Sequence, residues 1–174
     1  LPHPRLTYRY EGQLGLSTAR NTGAQVAQGE LLAYLDDDAE ASPGWLRALN
    51  QAFEAHPQAA IAGGRVTLQW PPGVTPPQWL SAVLAENLGA YDLGSDVQMI
   101  QDLGSTPRGL NYAIKKSFLM EINGFNPQLG RVGKNLLSNE ELYMTQQALS
   151  RGIEVLYVPQ ALVVHHVAPE RLHP

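Results

Sequence analysis

The 174-residue chain contains no cysteine. That absence excludes a disulfide framework, a thiolate metal site and a cysteine nucleophile, and it fits a reducing cytoplasm. Any metal must be held by Asp, Glu or His. No window approaches the ~18 consecutive apolar residues that a membrane-spanning helix needs. The opening residues "LPHPRLTYRYEG" show neither a basic region followed by an apolar run nor a small-residue cleavage site, so no secretory signal is expected. Positive charge is scarce as well. Twelve Lys and Arg against 16 Asp and Glu give a formal charge of -4, and the basic residues are scattered. Such a surface offers no electrostatic footprint for nucleic acid. What is present, 44% hydrophobic and 16% charged residues, is ordinary globular composition. At this length one domain is expected, burying roughly 70% of the surface of the unfolded chain.

Apolar patterning predicts an α/β fold. Residues 7–10 are β-prone. In "GLSTARNTGAQVAQGE", Ser17 is placed to cap a helix that ends at Gly29. "LLAYL" then reads as a strand without a polar face, the habit of strands covered on both sides in parallel sheets. Ser42 and Pro43 supply an N-cap and a first-turn proline to a helix whose buried stripe is Trp45, Leu46, Leu49, Ala52 and Phe53. "AAIAGGRVTLQW" adds another strand. Four prolines in "PPGVTPPQWL" break the pattern, and residues 71–108 are expected to be an irregular insertion with a short helix near residues 79–84. Regularity returns with Leu110, Tyr112 and Ile114 in alternation, a short helix to Gly124, and a helix from Ser138 to Gly152. Two β-prone runs, "IEVLYV" and "ALVVHH", follow, separated by Pro159.

Four constellations carry chemistry. Asp36, Asp37 and Asp38 end the second predicted strand, where open α/β sheets bind ligands, and residues 36 and 38 can converge on one hard cation. An acidic turn that caps the next helix is the structural alternative. Glu140 and Glu141 begin a helix, where a carboxylate can accept a proton from a hydroxyl nucleophile; Ser138 and Glu141 also fit a capping box. His165 and His166 follow a strand-like run, and at most one of two adjacent strand residues reaches a shared site. Arg20 and Asn21 fall in the first turn of a helix, whose free N–H groups favour anions.

The order of these features resembles that of the family 2 glycosyltransferases of GT-A fold. The resemblance is carried by "GLSTARNTGAQVAQGE", "LAYLDDD" with "SPGWL" behind it, "GGRV", "GLNYAIKK", "GFNPQLGRVG", "NEE" and "YVPQALVVHH". It implies transfer of a sugar from a nucleotide-sugar donor to an acceptor hydroxyl with inversion, assisted by Mn2+ or Mg2+, in glycan or polysaccharide biosynthesis. By position it makes Asp38, Asp36 and His165 the metal ligands. It makes Glu141 or Glu140 the general base, with Glu where the family commonly has the shorter Asp. Arg20, Asn21, Asp36, Asp37, Asn111 and Arg131 fall near donor or nucleotide. The implied partners are a nucleotide-sugar and a glycan or lipid-linked acceptor, at a cytoplasmic location or the inner face of a membrane. Trp70 and Trp79 are open to stacking on a sugar, to peripheral membrane contact, or to burial. The family's first strand, helix and strand have no counterpart here, so the chain is expected to be the C-terminal part of a catalytic domain, weakly active or inactive alone. A non-catalytic binding module of the same fold and a nucleotidyltransferase are the alternatives.

Overall fold

A computed structural model describes residues 6–130 and 139–168. It is a mixed sheet flanked by helices. Helix α1 (Leu16–Val26) leads into strand β1 (Leu31–Leu35), a turn at residues 36–38 and strand β2 (Ala39–Ala41). Helix α2 (Trp45–Ala55) and strand β3 (Ala59–Gln69) follow. Within the insertion lie helix α3 (Ala82–Glu86), strand β4 (Gln98–Met99) and a 3-10 turn at Leu103–Ser105. Strand β5 (Asn111–Lys115), helices α4 (Lys116–Glu121) and α5 (Glu140–Leu149), and strand β6 (Glu154–His166) complete the order.

The strands run β1-β5-β3-β6-β2, and β4 pairs with the other end of the β6 edge that β2 occupies. Only β3 and β6 are parallel; β1 with β5, β3 with β5 and β2 with β6 are antiparallel. β1 is therefore not the doubly covered parallel strand its apolar run predicts. It pairs on one side only among the described residues, with Leu32 buried and Ala33 and Leu35 exposed. Residues 7–10 form no strand; their aromatic side chains stand in solvent.

The two helix starts also differ from expectation. α1 is preceded by Gly15, and Ser17 lies inside the first turn, buried, rather than at the cap. α2 is preceded by Gly44 in the left-handed region (φ 90°), and Ser42 closes a turn by accepting the Trp45 N–H through its carbonyl. The buried stripe of α2 is Trp45, Leu49, Ala52 and Phe53, the i, i+4, i+7, i+8 spacing of one helix face; Leu46 is exposed. The predicted short helix in the insertion begins three residues later than its expected start, at Ala82.

The expected break at Pro159 is a β-bulge inside one long strand. Gly64 pairs with Val158 and Val66 with Val163, so the ladder skips residues 159–162, where the proline has no N–H to donate. Asn111 repairs the gap. Its Nδ2 donates to the carbonyls of Arg65 (3.0 Å) and Ala161 (2.7 Å), and its Oδ1 accepts from Trp45 Nε1 (2.8 Å). Gly64 is required there because a Cβ would run into the Ala161 backbone.

Asn111 and Tyr112 are neighbours on β5 and point to opposite faces. The asparagine meets Trp45 of α2; the tyrosine packs on Phe125, with ring centroids 6.3 Å apart. The sheet core thus sits between α2 on one side and the segments around Phe125 on the other, and the cleft opens on the second side.

Candidate active site

The cleft is about 410 Å3 and collects residues far apart in sequence: Arg20 from α1, Asp36 and Asp38 from the turn after β1, Glu141 from α5 and His165 from β6. The insertion supplies its cover, through residues 86–89, Leu103 and residues 106–108.

One wall is built around Arg20. The residue is 7% exposed, and its guanidinium carbon lies 5.9 and 5.5 Å from the ring centroids of Tyr34 and Phe125, beside a ring pair that is itself packed edge-on at 5.4 Å. Nη1 donates to Glu141 Oε1 at 2.6 Å and to Glu140 Oε1 at 3.4 Å, and Nη2 stands 3.6 Å from Asp36 Oδ1. Burial alone would weaken the arginine's hold on its proton, but Glu141, Asp36 and Glu140 more than offset this and raise its pKa. Asp36 is pushed up, chiefly by burial, with Asp38 and Glu141 adding to the shift and Arg20 opposing it.

Glu140 is 0% exposed and does not line the cleft, whereas Glu141 is 9% exposed and does. Of the two glutamates, Glu141 is the one that a bound hydroxyl can reach. The capping-box alternative requires Ser138, which lies outside the described residues, as does Arg131. Asn139 precedes α5 without a side-chain cap.

The opposite wall pairs Asp38 with His165, Oδ2 to Nε2 at 3.2 Å. His165 Nδ1 lies 2.7 Å from the Leu88 carbonyl, which can only accept, so Nδ1 carries a proton. In the neutral imidazole Nε2 then presents a lone pair towards a carboxylate. That juxtaposition is favourable when the ring is imidazolium or when a cation sits between the two groups. The donor set, one carboxylate oxygen and one imidazole nitrogen with its tautomer fixed by a backbone carbonyl, suits Mn2+ or Mg2+. Such ions commonly take one or two protein ligands and complete their shell with water and substrate phosphate.

The expected ligand trio is not assembled as a set. Among the described residues no three His, Asp or Glu side chains form a metal cluster, because Asp36 turns to Arg20 while Asp38 faces His165. Other expectations change too. Asn111, placed near the donor by resemblance, is 0% exposed and its amide is spent on the bulge, so it faces the sheet interior. Asn21 clamps the Phe125 backbone, accepting its N–H and donating to its carbonyl, both at 2.8 Å. Asp37 is exposed at the turn tip and outside the cleft lining. His166 lies on the opposite face from His165, beside Glu40 at 3.5 Å. Trp79 is 71% exposed, against the burial alternative, and Trp70 is half-buried.

Sequence reasoning missed Leu88, Arg108 and Gly109. Arg108 is part of the cleft cover, bonded to Glu86 at 2.9 Å and lying over the Tyr91 ring at 5.3 Å. Its place next to the "GLNYA" strand was the available signal.

The glycosyl transferase family 2 profile matches residues 2–117. The chain is similar to a glucosyl-dolichyl phosphate glucuronosyltransferase of Haloferax volcanii, 29% identical over 152 residues, which are 87% of this chain and 47% of that protein. It is also similar to glycosyltransferase AglE of the same organism, 23% identical over 90% of this chain and 46% of that one. The chain thus spans about half the length of these curated relatives. Among solved structures, GalNAc-T7 with UDP, GalNAc and Mn2+ superposes with a TM-score of 0.60 at 21% identity, covering 91% of this chain and 32% of the other. TarS 1-349 of S. aureus in complex with UDP gives 0.57 at 14% identity, covering 91% and 42%. At those identities the likeness is one of fold, the GT-A arrangement of a mixed sheet flanked by helices.

Proposed function

The chain belongs to glycosyl transferase family 2, and on that premise we propose that its cleft transfers a sugar from a nucleotide-sugar to an acceptor hydroxyl by a single inverting displacement. The observation that carries this reading is the gathering of Glu141 and the Asp38–His165 pair on opposite walls of one cleft. Glu141 takes the proton of the acceptor hydroxyl as that oxygen attacks the anomeric carbon. Arg20 holds one carboxylate oxygen, so the side chain is aimed before substrate arrives. Asp38 and His165 would hold a divalent cation, which as a Lewis acid offsets charge building on the departing diphosphate. Asp36 borders the same space, on the donor side. The insertion, which covers the cleft, contacts the acceptor, a glycan or lipid-linked sugar; the glucosyl-dolichyl phosphate in the relative's name supports the lipid-linked choice. No helix among the described residues is long and apolar enough to cross a membrane.

The test is a panel of nucleotide-sugars incubated with Mn2+ and the whole protein, read as release of nucleoside diphosphate and product. Glu141→Gln is expected to lower turnover by roughly a hundred- to ten-thousand-fold, with a smaller fall in melting temperature than removal of the arginine because Glu140 and Asp36 still face Arg20. A variant that keeps its turnover removes Glu141 as base. Cation-dependent binding without any turnover in the unaltered protein turns the reading towards a binding module.

A further inference from the structure

Glu141 reaches Arg20 through space that exists because residue 109 has no side chain. A Cβ built on Gly109 would fall inside the envelope of Glu141 Oε1, and would lie 2.7 Å from both Glu141 Cδ and Arg20 Nη2. The glycine is not there for its backbone, since its φ lies outside the left-handed region in which glycine is favoured. Its neighbours fix it in place. Pro107 packs so closely on Gly63 that a Cβ on Gly63 would strike it, Arg108 is bonded to Glu86, and the Asn111 N–H donates to the Arg108 carbonyl at 2.9 Å. The Arg20 guanidinium is packed against two aromatic rings. Of the groups that meet at this point, the end of the Glu141 side chain is the freest to move.

We propose that Gly109 and Arg20 are the positioning residues for the Glu141 carboxylate, Gly109 by leaving the space it fills and Arg20 by holding it there. The proposal rests on Glu141 being the base and adds to it what sets the reach of that base. A methyl group at 109 pushes the carboxylate off the guanidinium and away from the acceptor while leaving the fold in place. Since misplacing a reacting group by about 1 Å costs about a hundred-fold, Gly109→Ala lowers kcat by about that factor, with KM for the donor little changed. Aspartate at 141 is one methylene shorter and withdraws from the added methyl.

The experiment is a pair of double-mutant cycles in the whole protein. In the first, read by melting temperature, Gly109→Ala lowers Tm by about 2–4 °C with Glu141 present and by much less in an Glu141→Ala background. In the second, read by kcat, Gly109→Ala costs far less with Asp at 141 than with Glu. An equal Tm loss in both backgrounds overturns the proposal, because the methyl then meets something other than Glu141. So does a Gly109→Ala protein with full kcat when Glu141→Gln has lost it. Coupling in Tm with full turnover in Glu141→Gln overturns instead the reading of Glu141 as base, and the positioning role falls with it.

Discussion

On one wall of the cleft, Glu140, Glu141 and Asp36 surround Arg20, so negative charge is compensated from within the protein. On the other wall Asp38 faces His165, whose second nitrogen is committed to a backbone carbonyl. The first wall is dry at its centre, where Glu140 is fully buried and the guanidinium packs beside two rings, and wetter at Asp36, whose side chain is 37% exposed. The second is open at Asp38, whose side chain is 40% exposed, and closed at His165, at 4%. The contrast separates two uses of a carboxylate. On the proposed reading, a carboxylate that must be aimed at an acceptor is given a permanent cation, whereas one that is to bind a cation is left with a partner that an arriving ion can replace. The same distinction explains why three consecutive aspartates do three things. Asp36 joins the arginine cluster, Asp37 stays in solvent and Asp38 meets the imidazole.

The comparison breaks most sharply at Arg20. Arg20→Met leaves two glutamates buried without their cation, and losing one partner of a buried ion pair costs about 3–5 kcal/mol. The expected result is a fall in melting temperature on the order of 10 °C, read by thermal denaturation; a shift below about 2 °C would show that the wall does not depend on its arginine. At the open wall the expected pattern is reversed. Asp38→Asn changes stability by less than about 1 kcal/mol, while His165→Gln costs about 1–3 kcal/mol because its buried ring is bonded to the Leu88 carbonyl; both weaken cation binding, raising the Mn2+ concentration for half-maximal activity by roughly ten- to a hundred-fold. A titration of activity against Mn2+ checks this, and unchanged cation dependence in both variants removes the pair as a metal site.

The smallest effect concerns Tyr34, on the dry wall. Burial raises its pKa to about 12 although the nearby Arg20 opposes the shift. The fold therefore favours the neutral phenol: the stabilisation is complete below the unfolded value near 10 and is lost as pH rises through the folded value. Urea midpoints measured across that window should fall in the unaltered protein and fall less in Tyr34→Phe. Equal slopes would place the alkaline loss elsewhere.

How much of this was legible depended on how local each cause is. The α2 stripe and the strand at β5 follow from spacing, and each lies close to its expected place. β1 was misread because an apolar run shows that a strand prefers dry surroundings, not how many neighbours it has. Residues 153–158 and 161–166 read as two strands because Pro159 ordinarily ends one; here a bulge absorbs it and Asn111 satisfies the carbonyls it strands. The asparagines 21 and 111 were assigned to a ligand because amides in a ligand-binding motif and amides that mend a backbone look the same in sequence.

Sequence by itself determined the α/β class, the order of the acidic, amide and histidine motifs, and the candidacy of Glu141, Asp38 and His165, since residue chemistry and its order along the chain are local facts. Tertiary structure alone decided which carboxylate is sealed and which is open, which histidine turns inward, and that residue 109 must be small. Those are questions of distance between α1, α5, β6 and the insertion, and distance is fixed only when the helices and the insertion close over the same face of the sheet.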